Sequence, residues 1–280
     1  MFIKGKINLG DLRTKAGGTL KRVRPAVRRN KKTLVAGLML LLLAGIAYAG
    51  PRAVVAASQN AMAASKELPI YCVDRKDKVV ALTFDAAWGN EDTQQILDIL
   101  EKHNVKVTFF ATGGWVETYP DDVKKIIEAG HAFGNHSENH KFMTKLSDEQ
   151  KKQELMKVHD KVKTLTGYEM CLFRPPYGDY NDAVVRTAES LGYYTIQWSV
   201  DSLDWKDYGV DSIIKTVTQH KNLDSGAIIL MHNGAKYTAD ALDSVITNLK
   251  EQGYSFVTVA QLIYTGKYHI DHTGKQFADE

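Results

Sequence analysis

Val79-Val80-Ala81-Leu82-Thr83-Phe84 is an apolar run that stops abruptly at Asp85. A short, nearly unbroken run of this kind, rich in β-branched and aromatic side chains, predicts a strand buried on both faces. Six more runs recur along the chain: Val105–Ala111, Ala132–Asn135, Cys171–Arg174, Tyr194–Val200, Ala227–Met231 and Ser255–Val259. Between them lie amphipathic helical patterns at Thr93–His103, Asp121–Ala129, Ser147–Thr166, Asp182–Leu191, Asp211–His220 and Ala239–Gln252. Gly130, Gly192 and Gly253 each follow a helical pattern and precede a strand, as glycine does at a helix C-terminus. Ser147 and Asp148 open the longest helix with an N-cap signal. Strands alternating with helices predict an α/β fold with a parallel sheet, open or closed into a barrel. The roughly 200 residues involved fit one domain.

Both architectures place a site at the C-terminal ends of the strands. The polar residues that follow each run are therefore the informative ones. The first run ends at Asp85, the third at His136 and His140, and the fourth at Arg174-Pro175-Pro176-Tyr177-Gly178. The fifth leads to Asp201, Asp204 and Trp205, and the sixth to His232. Reactive groups gathered on one rim argue for a catalytic centre.

His136 and His140 are four residues apart, so on a helix both imidazoles share one face and can hold one metal ion. The competing reading is two solvated loop histidines. Asp85 is either a partner for Arg174, a loop cap, or a general base acting on a water whose pKa a metal has lowered. His232 reads as a core histidine or as the acid that protonates a leaving group. Arg174 and Asp204 would then orient the base and tune the acid. Tyr177 lies in a Pro-Pro-Tyr-Gly turn whose backbone N–H can face an oxyanion. Trp205 and Leu230 offer apolar walls, and with Pro176 are the expected substrate-binding positions. No Ser or Cys nucleophile motif and no phosphate-cradling glycine loop is present, which favours hydrolysis by an activated water.

Five ordered blocks resemble the polysaccharide deacetylases of carbohydrate esterase family 4: Thr83-Phe84-Asp85, His136-Ser137-Glu138-Asn139-His140, Arg174-Pro175-Pro176-Tyr177-Gly178, Asp201-Ser202-Leu203-Asp204-Trp205 and Leu230-Met231-His232. The resemblance implies a distorted (β/α)7 barrel and a divalent metal, often zinc. It also implies hydrolysis of N-acetyl groups on aminosugar polymers such as peptidoglycan. It casts Asp85 as base, His136 and His140 as metal ligands, and His232 as acid. Ala86-Ala87-Trp88-Gly89 is most similar to membrane-anchored, spore-associated members. One block departs: family members carry a second Asp after the base as third metal ligand, and here Ala86 stands there. Asp92 can either loop back to substitute or cap the helix that starts at Thr93.

Ahead of this body the composition changes. Residues 1–32 hold eleven basic groups against Asp11 alone, a net of +10, whereas residues 66–280 carry −8. An acidic body argues against nucleic-acid binding. Residues 33–51 are uncharged and centred on Leu38-Met39-Leu40-Leu41-Leu42-Leu43. As a helix they span roughly 28 Å, enough to cross a bilayer. The basic flank predicts a cytoplasmic tail (1–32), a transmembrane anchor (33–51), a linker (52–67) and an extracytoplasmic catalytic domain (68–266), followed by a tail (267–280). Ala47-Tyr48-Ala49 keeps a cleaved signal segment, and hence secretion, as the alternative. Cys72 and Cys171 are expected as free thiols and the protein as a monomer.

Overall fold

The computed structural model describes residues 66–279, where the apolar runs become a curled sheet with helices packed on its outer side. In chain order the elements are β1 (Cys72–Val73), β2 (Val79–Ala86), α1 (Thr93–Lys102), β3 (Thr108–Ala111), α2 (Gly113–Thr118), α3 (Pro120–Glu128), β4 (Ala132–Asn135) and α4 (Asp148–Thr166). They continue as β5 (Leu172–Phe173), α5 (Asp182–Ser190), β6 (Tyr194–Thr195), β7 (Val200–Asp201), α6 (Val210–Thr218), β8 (Ala227–Asn233) and α7 (Thr238–Glu251). The last are β9 (Ser255–Phe256), α8 (Val259–Leu262), β10 (Tyr268–Ile270) and β11 (Lys275–Ala278). The expected basic tail and membrane segment, and most of the linker, lie outside the described residues. Among those residues no helix is long and apolar enough to cross a membrane.

The opening run becomes the central strand. β2 pairs in parallel with β8 along one edge and with β3 and β9 along the other. The parallel ladder continues through β4 and β5 to β6, while β7 lies on the far side of β8. The seven-unit barrel is present as a curled sheet that does not close: among the described residues no ladder joins β6 to β7. The run Tyr194–Val200 breaks because the chain changes neighbours within it. Gln197 N–H donates to Ile70 O, whereas Ser199 N–H donates to Ile228 O.

Side chains alternate across a strand, and in β2 this sorts two cores. Val79 and Ala81 join Phe110, Leu172, Ile196 and Ile228 inside the curl. Val80, Leu82, Phe84 and Ala86 pack outward with the helices. Burying each large side chain contributes about 1.5–3 kcal/mol, so this division fixes which residues of β2 face inward. Thr83 and Asp85 continue the inner face.

Two boundaries differ from expectation. Thr258 ends the last run early because it caps α8: its hydroxyl accepts from Gln261 N–H, and the Gln261 side chain reaches back to Thr258 N–H. Residues 267–279 are not a tail apart from the fold. β10 and β11 form a hairpin, and β11 pairs with β1.

Candidate active site

The inner face of β2 delivers Asp85 to the rim beside His232 of β8, its direct register partner across the parallel ladder. Neighbouring strands lie about 4.8 Å apart, so two titratable groups from distant parts of the sequence stand side by side. Asp85 is 5% exposed and receives Arg174 Nη1 on one oxygen at 2.7 Å. Its other oxygen lies 3.5 Å from His136 Nε2. Arg174 is wholly buried; it also donates to Thr83 Oγ1 and Gln197 O, with its guanidinium over the Phe110 ring at 4.2 Å. Burial pushes the Asp85 carboxyl up, but the charge and hydrogen bond of Arg174 and the charge of His232 outweigh it and hold Asp85 below the usual carboxylate range. Asp85 is thus kept as an anion whose proton-accepting capacity is aimed inward.

His232 is built as its counterpart. Its Nδ1 lies 2.7 Å from Asp204 Oδ1, and its backbone N–H donates to Asp204 Oδ2 at 2.7 Å. Asp204, itself fully buried, also accepts from Trp205 N–H and Thr238 Oγ1. Left-handed backbone at Leu203 (φ 55°) and Asp207 (φ 54°) brackets the turn that carries it. Burial lowers the pKa of His232, yet the Asp204 bond and the charges of Asp204, Asp85 and Asp201 win and hold it above the ordinary histidine value. With Nδ1–H committed to Asp204, Nε2 is left for a reacting group.

His136 and His140 also meet, though not by the expected route. Residues 136–142 form no helix; left-handed backbone at Ser137 (φ 65°) and His140 (φ 52°) turns the chain instead. Two buried anchors set this loop. Asn135 Oδ1 accepts from Ser137 N–H, and the Glu154 carboxylate of α4 accepts from Asn139 N–H and Nδ2 and from Lys141. The two Nε2 atoms lie 3.2 Å apart. His136 Nδ1 sits 2.8 Å from Arg174 O, which as a donor leaves the lone pair on Nε2. Burial pushes the His140 pKa down to about 4, so it too is neutral. The contact can be an N–H···N bond, or with the His140 proton on Nδ1 both Nε2 atoms can act as donors to one ion, whose tetrahedral ligand nitrogens would lie about 3.3 Å apart.

The imidazoles therefore fit a divalent metal as a pair of donors. A catalytic zinc is typically held by three protein ligands, and among the described residues no group of three His, Cys, Asp or Glu side chains is arranged to hold an ion. Ala86 is fully buried in the outer core and offers no donor. Asp92 takes neither role foreseen for it. It sits at the N-cap position of α1 without a side-chain cap bond, and its Oδ1 accepts from Gly234 N–H at 2.8 Å.

Of the expected substrate-binding positions, Trp205 is half exposed on the rim. Pro176 and Leu230 are buried; Leu230, the register partner of Thr83 and Asp201, lies on the inner face below the rim. Tyr177 is exposed, in left-handed backbone (φ 60°), with its ring edge-on to His140 at 4.5 Å. Cys72 and Cys171 are free thiols, Cys72 half-buried and Cys171 exposed. Thr83, Gln197, Thr238 and Trp88 are site residues that sequence reasoning missed. Only Thr83 carried a signal: a hydroxyl in a buried apolar strand, on the same face as Asp85, requires a partner.

Comparison with known proteins points the same way. Residues 73–196 match the family model described as polysaccharide deacetylase. The chain is 38% identical over 202 residues to the peptidoglycan-N-acetylmuramic acid deacetylase PdaA of Bacillus subtilis, covering 69% of this chain and 74% of that one. It is 37% identical over 284 residues to the peptidoglycan-N-acetylglucosamine deacetylase PgdA of Listeria monocytogenes, covering 98% of this chain but 59% of that protein's length. Among solved structures, BA3943 of Bacillus anthracis, described as a carbohydrate esterase family 4 pseudoenzyme, superposes with a TM-score of 0.66 at 40% identity, over 69% of this chain and 68% of that one. A mutant of BA3943 has restored enzymatic activity. With its fold, its ordered blocks and the similarity of its sequence in agreement, the chain belongs to the polysaccharide deacetylase family, carbohydrate esterase family 4.

Proposed function

We propose that the protein removes N-acetyl groups from aminosugars of a cell-wall glycan, most plainly peptidoglycan, with Asp85 as base and His232 as acid. The observation that carries this reading is the register pairing of Asp85 with His232, each backed by its own buried partner, Arg174 and Asp204. Asp85 takes the proton of the attacking water. Arg174 keeps that carboxylate charged and aimed. His232, protonated and oriented by Asp204, gives its proton to the departing amine. The Tyr177 N–H faces the oxygen of the tetrahedral intermediate, and Trp205 supports the sugar ring. A divalent ion, zinc by family resemblance, held by His136 and His140 supplies polarisation of the acetamide carbonyl when bound. The similarity to PdaA and PgdA supports the substrate class. We extend the proposal to location: the +10 tail and the apolar segment 33–51 hold the catalytic domain, as a monomer, on the outer side of the membrane.

Ala86 supports a second reading, a wall-glycan-binding protein with weakened or absent catalysis, and the likeness to a pseudoenzyme favours it too. Metal binding and acetate release measured on the same sample separate the two. Isothermal titration with zinc reads the first and an acetate assay the second. Glycan binding with neither metal nor acetate decides for the binder, whereas zinc binding with acetate release decides for the hydrolase. A deacetylase of chitin-like oligomers would show its preference in the same assay.

A further inference from the structure

The segment after β2, Ala87-Trp88-Gly89-Asn90-Glu91-Asp92, folds back onto the end of β8. Asn233 Nδ2 and Trp115 Nε1 both donate to Gly89 O, at 3.1 and 3.0 Å. Gly234 N–H donates to Asp92 Oδ1, and Thr93 Oγ1 lies 2.8 Å from Asn233 Oδ1. These bonds set the Trp88 indole flat against the His232 imidazole, with ring centroids 5.4 Å apart and planes 22° from parallel. Gly234 permits the approach: it has φ +87°, and a Cβ there would lie 2.9 Å from Trp88 Cδ1. Trp88 is 43% exposed, so the position is not explained by burial in a core.

His232 needs such a neighbour. Its side chain is held at one atom, Nδ1 on Asp204. A single hydrogen bond leaves the ring free to tilt about that bond, which swings Nε2 away from a reacting group. A flat aromatic surface removes the tilt, and it attracts the charged imidazolium through its π face.

We propose that Trp88 is a positioning residue for His232, clamped by the Asp92–Gly234 bond so that its stacked indole fixes the plane of the imidazole and the direction of Nε2. This rests on His232 being the proton donor of the reaction. It also gives Asp92 a role, since the carboxylate that does not complete the metal site anchors the segment that orients the acid.

The test compares the full chain with Trp88→Ala and Trp88→Phe. In proton NMR the His232 ring protons are expected upfield in the wild type from the indole ring current. The displacement is lost in Trp88→Ala and largely kept in Trp88→Phe. On an N-acetylated glycan, kcat falls on the order of tenfold to a hundredfold in Trp88→Ala, with KM little changed, and Trp88→Phe recovers most of it. Unchanged His232 shifts in Trp88→Ala, or a rise in KM alone, would overturn the proposal. The NMR arm needs no turnover, so a wild type that released no acetate would sink the deacetylase reading while the stack was still judged.

Discussion

Asp85→Asn is expected to lower acetate release by a factor on the order of 10²–10⁴, the usual weight of a positioned general base. The substitution keeps the shape of the side chain and removes the charge. Asn can still accept from Arg174 Nη1, which approaches Asp85 at 2.7 Å, but it cannot take the proton of water. The loss should appear in kcat and kcat/KM alike, because the interaction is made only in the transition state. Arg174 would then be a buried cation without its counter-ion, and breaking a buried pair costs roughly 3–5 kcal/mol. Thermal unfolding measured beside activity separates the two effects: a folded Asp85→Asn protein with wild-type rates would remove Asp85 from the mechanism.

Asp204→Asn is expected to act through the acid instead. Asp204 receives four donors from His232, Trp205 and Thr238, and its charge is a main reason the His232 pKa stands above the usual histidine range. The base must be ionised and the acid protonated, so the rate rises as pH passes up through the Asp85 pKa and falls as it passes up through that of His232. In the wild type the alkaline limb therefore lies above the ordinary histidine value of about 6.5. Asp204→Asn moves that limb to lower pH and cuts the plateau by a factor on the order of 10²–10⁴, since the amide also favours the wrong imidazole tautomer. A pH–rate profile over both limbs reads the shift. An alkaline limb left in place would show that His232 is not the group titrating there.

Much of this site was legible because strand-end residues follow their own apolar run directly. Asp85 and His232 needed only the strand assignment, and the parallel ladder then set them side by side. The ordered polar blocks after each run carried the family likeness for the same reason. The histidine pair was found with the wrong geometry. A spacing of four suggests a helix, but Asn135 and Glu154 hold the segment as a loop with two left-handed residues. Asp92 shows the limit more sharply. Its partner, Gly234, lies far along the chain at the end of β8, and no local pattern distinguishes an anchor from a cap or a ligand. Thr238 and Trp88 were invisible for that reason too: each acts through one long-range contact with Asp204 or His232. The curl of the sheet was legible as strand–helix alternation, whereas its opening between β6 and β7 depends on which neighbours Gln197 and Ser199 choose.

The claim at the centre of this account is that the paired carboxylate and imidazole on the rim cleave the acetamide of a wall aminosugar. Acetate released from purified peptidoglycan by the full chain with added zinc, beside the Asp85→Asn and His232→Ala proteins, tests it most directly. The account predicts steady release by the wild type and near-complete loss in both variants. Glycan binding without acetate release by a zinc-loaded wild type, or equal release by all three, would contradict it.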